Sequence, residues 1–262
     1  MPRAIWSGSI SFGLVNVPVK LFTAVQPKDV RFNQLEGSTG ARIKQKRVSS
    51  QTGDEVSYDD IVKGYEVAPD RYVIITPEEL EALDPKATHS IDIEDFVDLD
   101  QIDPIFFERP YYLVPEAGGT KAYALLRDAM RDSGKVGIAR LVLQTKQYLA
   151  AIRPLGDALV LETLLYGDEV VNPDDLDLPG DDVEASDREL KIARQLIESL
   201  TDDFDPDKYR DEYRDRVLEL IERKAEGQEV VLQPAAAEEA TEVVDLMAAL
   251  EASLDAVREK GA

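Results

Sequence analysis

The sequence predicts an α+β fold: an antiparallel β-barrel or sandwich carrying one or two helices, followed by a separate helical region. Three observations predict it. Short runs of alternating apolar residues recur through residues 5–166. A basic, glycine-punctuated excursion from Gln26 to Glu66 interrupts them. An acidic stretch from Gly167 to Asp187 then divides them from segments whose apolar residues recur at three- and four-residue steps.

Taken in order, Ile5–Leu21 reads as two short strands with a tight turn among Ser and Gly, and Trp6 is expected to anchor the core. Gln26–Glu66 has too few large apolar residues to form its own core, so it is read as a long loop or extended hairpin projecting from a body built by its flanks. Thr76-Pro77-Glu78-Glu79 opens a short helix: Thr is a good N-cap, Pro suits the first helical position, and Glu79 completes a capping box. Leu80 and Leu83 form its apolar side and Asp84-Pro85 ends it.

Ile91–Asp98 alternates as a strand, although Asp95 falls on its apolar side, and Tyr111–Val114 reads as another. Thr120–Asp132 is a helix with Tyr123, Leu126, Ala129 and Met130 on one side and Gly134 just beyond its end. Three strands follow at Val136–Gln144, Gln147–Arg153 and Ala158–Tyr166, the last two joined around Gly156-Asp157.

Between Gly167 and Asp187 stand nine acids, two prolines and no Lys or Arg, the mark of a solvated connector. Ser186-Asp187-Arg188-Glu189 is a second capping box, leading into a helix with Leu190, Ala193, Ile197 and Leu200 on one stripe. Asp205-Pro206 is read as starting another, with Tyr209, Tyr213, Val217, Leu220 and Ile221 on one face and its end near Gly227. Two amphipathic helices on an acidic tether cannot bury both stripes alone. They need this barrel or a partner's, and exchange onto a partner is a low-cost route to a two-fold dimer. Past a Pro/Ala/Glu linker, Val243, Met247, Leu250, Leu254 and Val257 form a short amphipathic helix, laid out either to dock in a partner's groove or to fold back on the core. The resulting division is 1–167, 168–227 and 228–262.

Charge narrows the function. The chain of 262 residues carries a formal charge of −23, so its overall field repels nucleic acid and anionic membranes, and any nucleic-acid contact must be local. Residues 1–50 supply such a locality, with eight Lys/Arg against two acids. The densest part is Arg42-Ile43-Lys44-Gln45-Lys46-Arg47. As an extended strand it would present Arg42, Lys44 and Lys46 on one face roughly 6–7 Å apart, a spacing suited to successive phosphates. A solvated edge strand, charged only to prevent aggregation, has the same pattern.

Other chemistries are poorly served. With no cysteine there is no disulfide, thiolate metal site or cysteine nucleophile. No stretch approaches the roughly 20 apolar residues of a membrane span, and the first residues lack the apolar run of a signal peptide, so a soluble, intracellular protein is expected. Gly118-Gly119-Thr120 lacks the spacing and lysine of a nucleotide-binding loop. His89, the single histidine, sits in a polar turn, and the acid groups Asp59/Asp60 and Asp92/Glu94/Asp95 are chance neighbours in a chain with 53 acids rather than a magnesium site. Neither a metal nor a cofactor is expected, nor catalysis.

Several segments resemble one family. Arg3-Ala4-Ile5-Trp6-Ser7-Gly8-Ser9-Ile10-Ser11-Phe12-Gly13-Leu14-Val15-Asn16-Val17-Pro18-Val19, Arg42–Arg47, Asp60-Ile61-Val62-Lys63-Gly64-Tyr65-Glu66, Tyr111-Tyr112-Leu113-Val114-Pro115 and Glu189-Leu190-Lys191-Ile192-Ala193 are similar, in order, to bacterial Ku, the DNA-end-binding protein of non-homologous end joining. The resemblance covers residues 1 to about 226, and Val243–Leu254 resembles the family's C-terminal, ligase-contacting segment.

The resemblance implies a homodimeric ring of cytoplasmic, nucleoid-associated protein that threads onto broken duplex ends, holds sugar and phosphate rather than bases, and recruits an ATP-dependent ligase for double-strand-break repair. Residues 27–66 become the bridge over the duplex, with Lys28, Arg31, Arg42, Lys44, Lys46, Arg47 and Lys63 towards the channel and Lys146 joining them from the barrel. The stripes Leu190/Ala193/Ile197/Leu200 and Tyr209/Tyr213/Val217/Leu220/Ile221 become the dimerisation arm, and Val243, Met247, Leu250 and Leu254 the ligase-docking face. A nuclease or lyase acting on DNA ends is the alternative enzyme reading, and an interaction scaffold with a merely solvated basic strand is the third. Two departures stand out. Val48–Gly53 keeps the turn where some relatives suggest a zinc ribbon but has no thiols, and Arg258-Glu259-Lys260-Gly261-Ala262 replaces the lysine-rich tail that many relatives carry.

Overall fold

The computed structural model describes residues 3–83, 89–180, 185–227 and 246–260. Two compact units divide the chain: Met1–Lys28 with Asn33–Asn172, and Asp29–Phe32 with Pro173–Ala262.

The first unit begins with β1 (Trp6–Phe12) and β2 (Val15–Thr23), joined by a turn in which Gly13 takes φ 59°, a conformation open to glycine at little cost. Next in the chain come a short hairpin, β3 (Lys63–Ala68) and β4 (Arg71–Ile75), and helix α1 (Pro77–Leu83). Then follow β5 (Ser90–Asp98), β6 (Phe107–Pro115), α2 (Thr120–Ser133), β7 (Lys135–Leu143), β8 (Lys146–Leu155) and β9 (Ala158–Leu164). Seven strands close into a barrel in the order β1-β2-β6-β9-β8-β7-β5. Every pairing in it is antiparallel except the seam, where β5 lies parallel to β1 with Ser9, Ile10 and Ser11 opposite Ser90, Ile91 and Asp92.

Alternation places the apolar side chains inside. Val17, Val19 and Leu21 of β2 are fully buried, as are Ile10, Ile91, Leu113, Ile152, Leu159 and Leu161 from the other strands. Trp6 packs against this cluster from its margin. α2 covers the barrel by lying on β8, β2 and β7, and inserts Tyr123, Leu126 and Met130; Ala129 faces out and Ala122 takes its place at the core edge. The helix stops where Gly134 turns left-handed at φ 67°. Asp95 no longer conflicts with the pattern of β5, because the register slips between Ile93 and Asp95 and turns its carboxylate outward.

Register also shows where residues 24–89 are rooted. Trp6, at the start of β1, pairs with Leu21 near the end of β2, and Ser9 pairs with Ser90 at the start of β5. The excursion therefore leaves and returns at one end of the barrel. The β7–β8 turn belongs to that end too, since Ile91 pairs with Leu141 two residues before Leu143, which pairs with Lys146.

The second unit contains α3 (Asp187–Leu200), α4 (Glu212–Ala225) and α5 (Leu246–Lys260). The Ser186 capping box forms as expected, with Glu189 N–H donating to the Ser186 hydroxyl and Ser186 N–H to the Glu189 carboxylate at 2.7 Å. Asp205-Pro206 does not start the next helix. The Asp205 carboxylate accepts from Asp207 N–H and closes only a 3₁₀ turn, while α4 begins after Asp211, whose carboxylate accepts from Arg214 N–H. Tyr209 consequently lies before the helix, 6.0 Å from the stacked ring of Phe204. Among the described residues no helix is long and apolar enough to cross a membrane.

Candidate nucleic-acid interface

The basic segment is held by two narrow turns rather than by a continuous sheet. An isolated bridge pairs Leu35 with Arg42 around a turn through Gly40, where Glu36 N–H donates to the Ala41 carbonyl at 2.8 Å. A second pairs Val48 with Glu55 around a turn through Gly53, where Val56 N–H donates to the Arg47 carbonyl at 2.9 Å. Gly40 and Gly53 take φ of 69° and 77°, so both reversals use the left-handed region where a Cβ is strained. Residues 42–48 thus run between two pinned points. The chain zigzags, and its cations lie on the middle stroke.

All of these cations are exposed, but their surroundings differ. Arg42 donates to the Asn33 side-chain carbonyl. Lys46 pairs with Glu55 at 2.5 Å, across the second turn. The Arg47 guanidinium lies over the Tyr58 ring, 5.1 Å from its centre, in a concavity of about 470 Å³ that Lys46, Glu55 and Ser57 also line. Lys44 projects from the stretch between the two bridges. Lys63 starts β3, Lys28 ends the first stretch of the barrel unit, and Arg31 groups with the second unit. Lys146 stands at the barrel end where the excursion is rooted, its ammonium 5.0 Å from the centre of the Tyr148 ring and 3.9 Å from Glu169.

The hairpin β3–β4 is a feature that the sequence reading missed beyond Glu66. Asp70 turns it at φ 58°, and the β-branched and aromatic run Tyr72-Val73-Ile74-Ile75 was its signal. Tyr65, Tyr72, Val73 and Ile74 are between 47% and 70% exposed, so the hairpin presents an apolar surface to water.

Two of the acids weighed as a metal site have partners. Asp92 accepts from the Ser90 hydroxyl at 2.7 Å and Glu94 lies 3.5 Å from Arg140. Among the described residues no group of three or more His, Cys, Asp or Glu could hold a metal ion. His89 Nδ1 lies 3.3 Å from the Ser7 carbonyl, its ring 6.4 Å from that of Trp6. Of the residues expected to dock, Met247, Leu250 and Leu254 lie on α5, whereas Val243 falls outside the described residues.

A closed seven-stranded barrel with a cationic excursion rooted at one end defines a class of β-barrel, and its sequence family can be stated. Residues 11–192 match the family described as the Ku70/Ku80 beta-barrel domain. The chain belongs to the Ku family. It is 55% identical over 262 residues to the "Non-homologous end joining protein Ku" of Anaeromyxobacter sp. (strain K), covering 100% of this chain and 88% of that one. A protein of the same name from Heliobacterium modesticaldum is 46% identical over 256 residues, covering 98% and 92%. Another from Bacillus subtilis is 41% identical over 259 residues, covering 98% and 83%.

Proposed function

We propose that this chain forms a homodimeric ring that threads onto double-stranded DNA ends without regard to sequence and recruits the ATP-dependent ligase in non-homologous end joining. The observation that carries the reading is the rooting of residues 24–89 at one end of the barrel, with Arg42, Lys44, Lys46 and Arg47 on a doubly pinned, exposed stroke. Relatives along the whole chain are named for end joining, which supports the same reading. Phosphate contacts fix position without reading bases, so such a ring selects ends by topology. An encircling protein also need not rely on long-range attraction, which reconciles DNA binding with a net charge of −23.

Dimerisation is supported by apolar surface that lacks cover. Tyr65, Tyr72, Val73 and Ile74 of the hairpin, and Leu190, Ile197 and Leu200 of α3, are each more than two-fifths exposed, and a second copy would bury them in a two-fold arrangement. The test is a mobility-shift comparison of one linear duplex with free ends, the same duplex with both ends blocked by bulky groups, and a closed circle of equal sequence. Binding confined to the free-ended form is expected. Equal binding to all three would replace the ring with an open cationic surface.

A further inference from the structure

The helix expected to meet the ligase is itself engaged within the second unit. α5 packs on α3, and Arg188 of α3 donates to Glu251 of α5 at 2.9 Å. The side of α5 withdrawn from water is Met247, Leu250 and Leu254, with Leu254 only 8% exposed, while Glu251, Ala252 and Ser253 face out. Those three positions, at i, i+3 and i+7, are the very stripe that a groove would receive. On α3 the partly buried residues are Glu189, Ile192, Ala193 and Leu196, one helical side, so Ala193 of the expected arm stripe lies on the covered side; Leu190, Ile197 and Leu200, on the neighbouring side, stay exposed. α3 therefore has two apolar sides, one covered by α5 and one free for the arm.

We propose that α5 is latched on α3 in the free protein, so that the ligase must displace α3 from the Met247/Leu250/Leu254 face in order to bind it. The inference rests on the ligase-recruitment reading. A helix of 15 residues is marginal alone in water, so α5 gains its order from whichever surface it lies on, and the two surfaces compete for one face. Apparent ligase affinity is then reduced by the fraction of molecules in which the latch is open. Because the latch and the arm stripe occupy neighbouring sides of α3, opening the latch leaves dimerisation and end binding in place.

The chain contains no cysteine, so Leu254→Cys in the full-length protein gives a single thiol on the covered face. Maleimide should modify it slowly, and adding Leu196→Glu, which sets a charge against α5, should speed modification about tenfold or more, since a charge resists burial. Arg188→Glu is the milder variant, at an exposed position: it should raise the rate by a few-fold, and Glu251→Arg should restore it. Equal rates in all backgrounds would overturn the latch. In the chain with Leu254 retained, Leu196→Glu should capture the cognate ATP-dependent ligase about tenfold more tightly while dimer mass and DNA-end binding stay unchanged. Faster thiol modification with unchanged ligase affinity would overturn the competition. A ligase that binds neither the native protein nor the variants would instead overturn recruitment itself, with the thiol rates still reporting the latch.

Discussion

Leu113 and Leu159, register partners at one end of the β6–β9 ladder, are joined through a third residue: the Tyr123 hydroxyl donates to the Leu113 carbonyl at 2.7 Å and accepts from the Leu159 N–H at 2.6 Å. α2 is thereby tied to the barrel wall by its own side chain as well as by Leu126 and Met130. Burial pushes the Tyr123 phenol up from its ordinary pKa, outweighing the Leu159 N–H and Arg127, which favour the phenolate. The hydroxyl is therefore protonated and able to donate.

Tyr123→Phe should destabilise the barrel by about 2–4 kcal/mol, because it leaves a buried carbonyl and a buried N–H without their partner. Urea unfolding checks this, and an unchanged midpoint would show that neighbouring groups take over both bonds. A second readout is alkaline unfolding. The raised phenol contributes stability that is fully present below the ordinary tyrosine pKa and is lost as pH rises through the folded value, so the native protein should weaken above about pH 10 and Tyr123→Phe should lack that component.

Gly8→Ala should be more disruptive than a half-buried strand position implies. A Cβ there would overlap the His89 carbonyl oxygen and the Trp6 ring, at the short seam where β1 meets β5. Overpacking of this kind typically costs about 1–3 kcal/mol, and here it forces apart the pairing that closes the barrel. A thermal melt should show a clear loss, whereas a native-like Tm would mean that the seam opens without consequence.

Because Glu55 holds Lys46, Glu55→Gln should strengthen DNA binding and steepen its dependence on salt, although the substitution touches no DNA itself. In the other direction, changing Arg42, Lys44 and Lys46 together to Glu should abolish binding while leaving the circular dichroism spectrum intact. For a dimer neutralising roughly eight phosphates, the log–log salt slope of the native protein should be about −7. Filter binding from low to physiological salt measures all three. Native affinity in the triple variant would remove the basic stroke from the interface.

Much of the barrel was legible: β2 and β6 alternate because one face of each is buried, whereas β8 and β9 read as apolar runs because each buries three consecutive residues, 150–152 and 159–161. Asp95 broke the pattern through a slip in register that alternation cannot anticipate. The hairpin β3–β4 went unread because its turn is made by Asp70 rather than glycine and its strands bury nothing. The start of α4 was misplaced because an Asp-Pro pair caps a 3₁₀ turn as readily as an α-helix; only the acceptor geometry at Asp205 and Asp211 separates them. At the candidate interface, residue type marked the cations, but which are already paired depends on contacts across turns. Lys46 meets Glu55 nine residues on, and Arg47 meets Tyr58.

Encirclement is tested most directly by loading the protein onto a linear duplex with free ends, blocking both ends with bulky groups, and then raising the salt to a level that prevents fresh loading. A closed ring predicts that the protein stays on the blocked duplex and leaves when either end is reopened. Dissociation at one rate from blocked and unblocked duplexes would contradict threading.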